Sequence, residues 1–132
     1  IKNFDKAIHL EPGEATLYAN RGQVYHQQGE LELAIDDYNM AVQFNPNLVA
    51  ARFNRGVLLY ALGKNEAALD DLTYAINSDP TQAPLYFNRG VILAETGQNE
   101  AARADLEQFL ALSDNNEWTK IAVAMLAEMN EE

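Results

Sequence analysis

The chain has 132 residues, of which 48% are hydrophobic and none is cysteine, and its 20 acidic against nine basic side chains give a formal charge of −11. That length supports one compact domain, the lack of cysteine excludes disulfides, thiolate zinc sites and cysteine nucleophiles, and the negative charge argues against nucleic acid or an anionic membrane surface as a partner. No apolar run approaches the ~18 residues of a membrane span and nothing resembles a signal peptide, so no membrane insertion is expected and the cytoplasm is the default compartment.

The first fourteen residues carry Phe4, Ala7 and Pro12, each 34 positions ahead of Tyr38, Ala41 and Pro46. They read as the second helix of a repeat whose first helix is missing. From Ala15 the period is explicit: Asn-Arg-Gly occurs at 20–22, 54–56 and 88–90, and the spans 15–48, 49–82 and 83–116 align as full repeats. A fixed interval in this range is the mark of a stacked array.

Within each span the matched columns have physical reasons. Gly22, Gly56 and Gly90 sit inside apolar-periodic runs, where glycine costs ~1 kcal/mol against alanine, so they predict close helix contact. Gly29, Gly63 and Gly97 follow the last periodic residue, as a helix C-cap should. A second run then contains Ala34, Ala68 and Ala102, with Tyr38, Leu72 and Leu106 one turn on, and the first two runs stop before Pro46 and Pro80. Each span is therefore predicted as helix, tight turn, helix, short turn. Beyond it, Trp118, Ile121, Ala122, Met125, Leu126 and Met129 form a helical stripe after Ser113 and Asp114, which are placed to start it; residues 117–132 are expected to cap the array.

Tyr18, Gly22, Tyr25, Gly29, Ala34, Tyr38, Ala41 and Pro46 in the first span resemble the tetratricopeptide repeat. The second span departs at Arg52 and Leu59, and the third has Phe109 and Asp114 for the second Ala and the Pro. The resemblance implies an all-α fold: a right-handed superhelix of antiparallel helix pairs, with first helices lining a concave groove. It also implies which residues face that groove. They are Asn20, Gln23 and Gln27, then Phe53, Asn54, Val57, Tyr60 and Ala61, then Phe87, Asn88, Val91 and Glu95.

Asn20, Asn54 and Asn88 would offer one acceptor and two donors each, suited to a peptide main chain, with Phe53, Tyr60 and Phe87 as exposed aromatic seats. The alternative is that these asparagines serve the repeat's own structure. Arg21, Arg55 and Arg89 recur with Asp37, Asp71 and Asp105, predicting an Arg–Asp pair that fixes the angle between helices; the competing reading has the arginines gripping a partner's carboxylate. The remaining acids on the second helices, together with these three, are expected on a solvated outer face: Glu30, Glu32, Asp36, Glu66, Asp70, Glu100 and Glu107.

Some tetratricopeptide domains hold acidic chaperone tails through basic and Asn positions on three first helices. The matching positions here are Ala19 and Gln23, Asn54, then Pro84 and Asn88; only Asn54 agrees, and no Lys or Arg is present to hold a terminal carboxylate. A chaperone C-terminal tail is therefore not expected. His9 and His26 match no metal spacing, and Ser78 and Ser113 lie in expected turns without a nucleophile's setting, so neither enzyme chemistry, metal nor cofactor is expected. The function predicted is an interaction module that binds an extended peptide of a protein partner. The alternative is an assembly scaffold acting through its array ends or by homo-oligomerisation.

Overall fold

The computed structural model describes residues 1–114 and 116–131, with nothing of the Asn116 side chain. Among the described residues there are eight helices and no strand. They are α1 (Lys2–Leu10), α2 (Ala15–Gln27), α3 (Leu31–Phe44), α4 (Val49–Ala61), α5 (Asn65–Ser78), α6 (Ala83–Glu95), α7 (Asn99–Leu112) and α8 (Asn116–Asn130). The chain divides into two compact units, residues 1–78 and 79–132.

The glycines explain why each pair closes as it does. Gly29, Gly63 and Gly97 have φ near +79°, a left-handed conformation that costs glycine little. Behind them the amides of Glu30, Lys64 and Gln98 donate back to the carbonyls of Tyr25, Leu59 and Leu93 at 2.8–2.9 Å, which satisfies the end of the first helix and turns the chain into the second.

Close packing of the pairs depends on the other glycine set. A Cβ on Gly22 would lie 2.8 Å from the Tyr38 ring, one on Gly56 3.2 Å from Leu72 Cγ, and one on Gly90 3.1 Å from Leu106. Tyr38, Leu72 and Leu106 are themselves wholly inaccessible. Burying such a leucine contributes about 2 kcal/mol, so the missing glycine side chain is offset by what packs in its place.

In the first unit one cluster joins Ala15, Tyr18, Ala19, Ala41, Val42 and Ala51, with Ile8 of α1 against it; a second joins Ala34, Tyr38 and Leu58. Tyr18 also stacks on Phe44 at 5.6 Å. In the second unit α8 lies against α7 and buries Ala122 and Met129, while Trp118, Met125 and Leu126 are half-buried. Ile121 corrects the expected stripe: it is 47% exposed, because the buried line through Ala122 and Met129 leaves it turned to one side. Ser113 and Asp114 precede α8 without adjoining it; residue 115 lies outside those described. Ser78, expected in a turn, is the last residue of α5, its hydroxyl donating to the Tyr74 carbonyl at 3.0 Å.

Candidate interaction surface

The paired arginines and aspartates form the frame on which the surface residues sit. Arg21 donates through Nε and Nη2 to the two oxygens of Asp37 at 2.8 and 2.7 Å; Arg55 does so to Asp71 at 2.7 Å for both bonds, and Arg89 to Asp105 at 2.7 and 2.8 Å. These are two-pronged, charge-assisted bonds between the first and second helix of one pair. The bond to Asp37 holds the Arg21 guanidinium above its ordinary, already high range, and the bond to Asp105 does the same for Arg89.

The frame corrects one expectation and resolves another. Asp37, Asp71 and Asp105 are only 4%, 2% and 5% exposed, so they are not part of the solvated acidic face, because their carboxylates are turned inward onto the arginines. Glu30, Glu32, Asp36, Glu66, Asp70, Glu100 and Glu107 are exposed. Each of the three arginines thus joins its own helix pair, as the recurrence with aspartate predicts.

On the first unit, α2 touches α4. Asn20, Gln23 and Gln27 are exposed along α2 at spacings of three and four, which keeps them on one helix face. On α4, Phe53, Asn54, Val57 and Tyr60 are half-buried and Ala61 is exposed. Among the described residues neither Asn20 nor Asn54 has a side-chain hydrogen-bond partner, in contrast to Arg21 and Arg55 beside them. His26 is half-buried on the same helix as Asn20, and His9 is exposed on α1.

The second unit treats its equivalents differently. Asn88 donates from Nδ2 to the Pro84 carbonyl at 2.8 Å, one turn back in α6, so part of its amide is already committed. Val91 is half-buried and Glu95 exposed. Phe87 is not an exposed aromatic seat: it is 8% exposed, stacked on Trp118 at 4.6 Å and packed against Phe109 at 5.0 Å. The cause is α8, whose tryptophan covers the ring. Trp118 stands outside the repeat register that assigned Phe87 to the groove.

One residue that matters was read only as a departure. Tyr18 and Tyr86 donate from their hydroxyls to the carbonyls of Pro12 and Pro80 at 2.9 and 2.8 Å, tying each first helix to the turn before it. At the equivalent place Arg52 donates from Nε to the Pro46 carbonyl at 3.1 Å. Its Nη1 adds a bond to Asp71 at 3.2 Å, and its guanidinium lies 3.9 Å from the centre of the Tyr74 ring. Tyr74 in turn donates to Asn47 Oδ1 at 2.8 Å. A proline carbonyl as acceptor leaves no side-chain signature, so the sequence shows only the departure at Arg52.

Two family models match the chain: one described as TPR repeat over residues 22–63 and one described as tetratricopeptide repeat over residues 53–117. Among solved structures, the first TPR of Spaghetti (RPAP3) bound to the HSP90 peptide SRMEEVD is 24% identical, with a TM-score of 0.82 over 89% of this chain and 94% of that one. The P58(IPK) TPR domain is 26% identical, with a TM-score of 0.84 over 89% of this chain and 33% of that one. YrrB, described as a TPR protein with an unusual peptide-binding site, is 21% identical, with a TM-score of 0.82 over 97% of this chain and 73% of that one. No curated protein matches at a significant level.

Proposed function

The chain belongs to the tetratricopeptide repeat family, and we propose that it is an interaction module holding an extended peptide segment of a protein partner on the α2 and α4 faces that carry Asn20 and Asn54. The observation that carries this reading is the pair of amides without a side-chain partner among the described residues, on touching helices, beside half-buried Phe53 and Tyr60. An amide that donates and accepts at one point matches a peptide bond whatever the side chain, and the aromatic rings supply selectivity. The likeness to RPAP3 and YrrB, one bound to a peptide and the other described by its peptide-binding site, supports the same use of the fold.

A peptide like the SRMEEVD bound to RPAP3, with three acidic side chains, does not suit this face. Ala19, Gln23 and Asn54 stand at the matching positions in the first unit, and Arg21 and Arg55 are closed on their aspartates. Phe87 and Asn88 do not enter the proposal, since the ring is covered and the amide is partly engaged.

The test is capture of proteins by the immobilised chain and by an Asn20→Ala/Asn54→Ala variant with an unchanged thermal melt. Partners retained by the wild type and lost by the variant are expected. Equal capture would refute the groove reading and shift attention to homo-oligomerisation or another surface.

A further inference from the structure

The cleft bounded by α3, α4 and α5 differs from its counterpart one repeat earlier in charge and in the bulk of the side chains at its lining positions. In the 34-residue register Asp5 is replaced by Asn39, Tyr18 by Arg52 and Glu30 by Lys64, and every one of these changes removes a negative charge or adds a positive one. Tyr25 gives way to Leu59 and Leu33 to Ala67, which shortens the walls. The cleft is an open space of about 520 Å³ lined by all five of these residues.

The hydrogen bonding shows how the charge is left over. Arg21 is clasped by two carboxylates, Asp37 at 2.7 Å and Asp5 at 2.9 Å. Arg55 has Asp71 at 2.7 Å, but where Asp5 stood it meets only the neutral amide oxygen of Asn39 at 3.1 Å. Asp71 is also shared with Arg52 at 3.2 Å, so two guanidinium groups divide one carboxylate. Lys64 is exposed on the lining and, among the described residues, has no side-chain partner. Asp70 lines the cleft too, but Asp36 is its register mate, so it contributes nothing to the difference. Three cations face two carboxylates, in a chain whose net charge is −11.

We propose that this cleft is a second binding site, one that takes an aspartate or glutamate side chain of a protein partner. A single excess positive charge matches a monoanion. A phosphate, at nearly two negative charges, would be opposed by Asp70 and Asp71. Arg52, Arg55 and Leu59 share an α4 face three and four residues apart, which is not the face of Asn54, so this site stands independently of the peptide groove proposed above.

The experiment is a titration of the isotopically labelled full chain at low ionic strength, followed by backbone amide resonances, with three probes: blocked Gly-Glu-Glu-Gly, its Gly-Gln-Gln-Gly counterpart and inorganic phosphate. The glutamate peptide is expected to shift the amides of Asn39, Lys64 and Ala67 saturably, and the glutamine peptide to leave them in place. Lys64→Glu and Asn39→Asp, both at exposed positions, should each weaken binding by about tenfold or more without lowering the melting temperature. Asn20→Ala/Asn54→Ala should leave it unchanged. Equal shifts by the two peptides, unaltered binding by Lys64→Glu, or tighter saturation by phosphate would each overturn the proposal.

Discussion

The hairpins α2–α3 and α4–α5 stand side by side in one unit and are built on the same frame with different fittings. Both place a glycine against the second helix, both join an arginine to a buried aspartate by two bonds, and both tie the first helix to a proline carbonyl. The first does the last of these with a tyrosine and the second with an arginine. Under the glycine, the first packs an aromatic ring and the second a leucine. What is held constant is the glycine against the second helix and the two-pronged Arg–Asp bond; what varies is how each neighbouring contact is satisfied.

The largest difference should appear on removing the buried carboxylate. Asp71→Ala leaves Arg52 and Arg55 with only neutral acceptors, and should cost roughly 3–5 kcal/mol in urea unfolding. Asp37→Ala leaves Arg21 its second carboxylate, Asp5, and should cost less by about 1 kcal/mol. Equal losses would mean that the second charge partner contributes nothing.

Next comes the helix contact. Gly22→Ala places a methyl 2.8 Å from the Tyr38 ring and should destabilise by roughly 1–3 kcal/mol, with a gain of helix propensity too small to offset it. Gly56→Ala meets Leu72 at 3.2 Å and should cost less. Combining Gly22→Ala with Tyr38→Leu, the residue the second hairpin uses, should show a favourable coupling of about 1 kcal/mol in a double-mutant cycle.

The smallest effect is on the Tyr38 hydroxyl, which is buried without a hydrogen-bond partner among the described residues. Tyr38→Phe should be neutral or stabilising by up to about 1 kcal/mol. Burial, aided by the nearby charge of Asp37, pushes the phenol up to about 12 from its ordinary 10. The folded chain therefore keeps this proton where the unfolded chain has released it. Stability from this group is complete below pH 10 and declines as pH rises toward 12, so urea melts across that range should fall more steeply for the wild type than for Tyr38→Phe. Parallel curves would show that Tyr38 is not the group responsible.

Much of this frame was legible in the residues themselves. A glycine inside an apolar run, or an arginine and an aspartate recurring in step, carries its physical reason with it. The candidate surface was less so. Phe87 shares a column with Phe53, and its burial depends on Trp118, which comes from a helix outside the period. Asp37 and Asp71 share their letter with exposed Asp36 and Asp70, and only the arginines recurring in step mark them as inward. Arg52 acquires its meaning from a backbone carbonyl, and backbone acceptors are invisible in a list of side chains.

The glycines that end α2, α4 and α6 have a consequence for chirality. A Cβ built on Gly29, Gly63 or Gly97 meets nothing within 4 Å, so crowding does not exclude a methyl there. Only the positive φ excludes one, and it excludes L residues alone. A D-alanine favours this positive φ and would restrict the unfolded chain, so each turn would become firmer. These positions select the hand of the amino acid through the backbone alone.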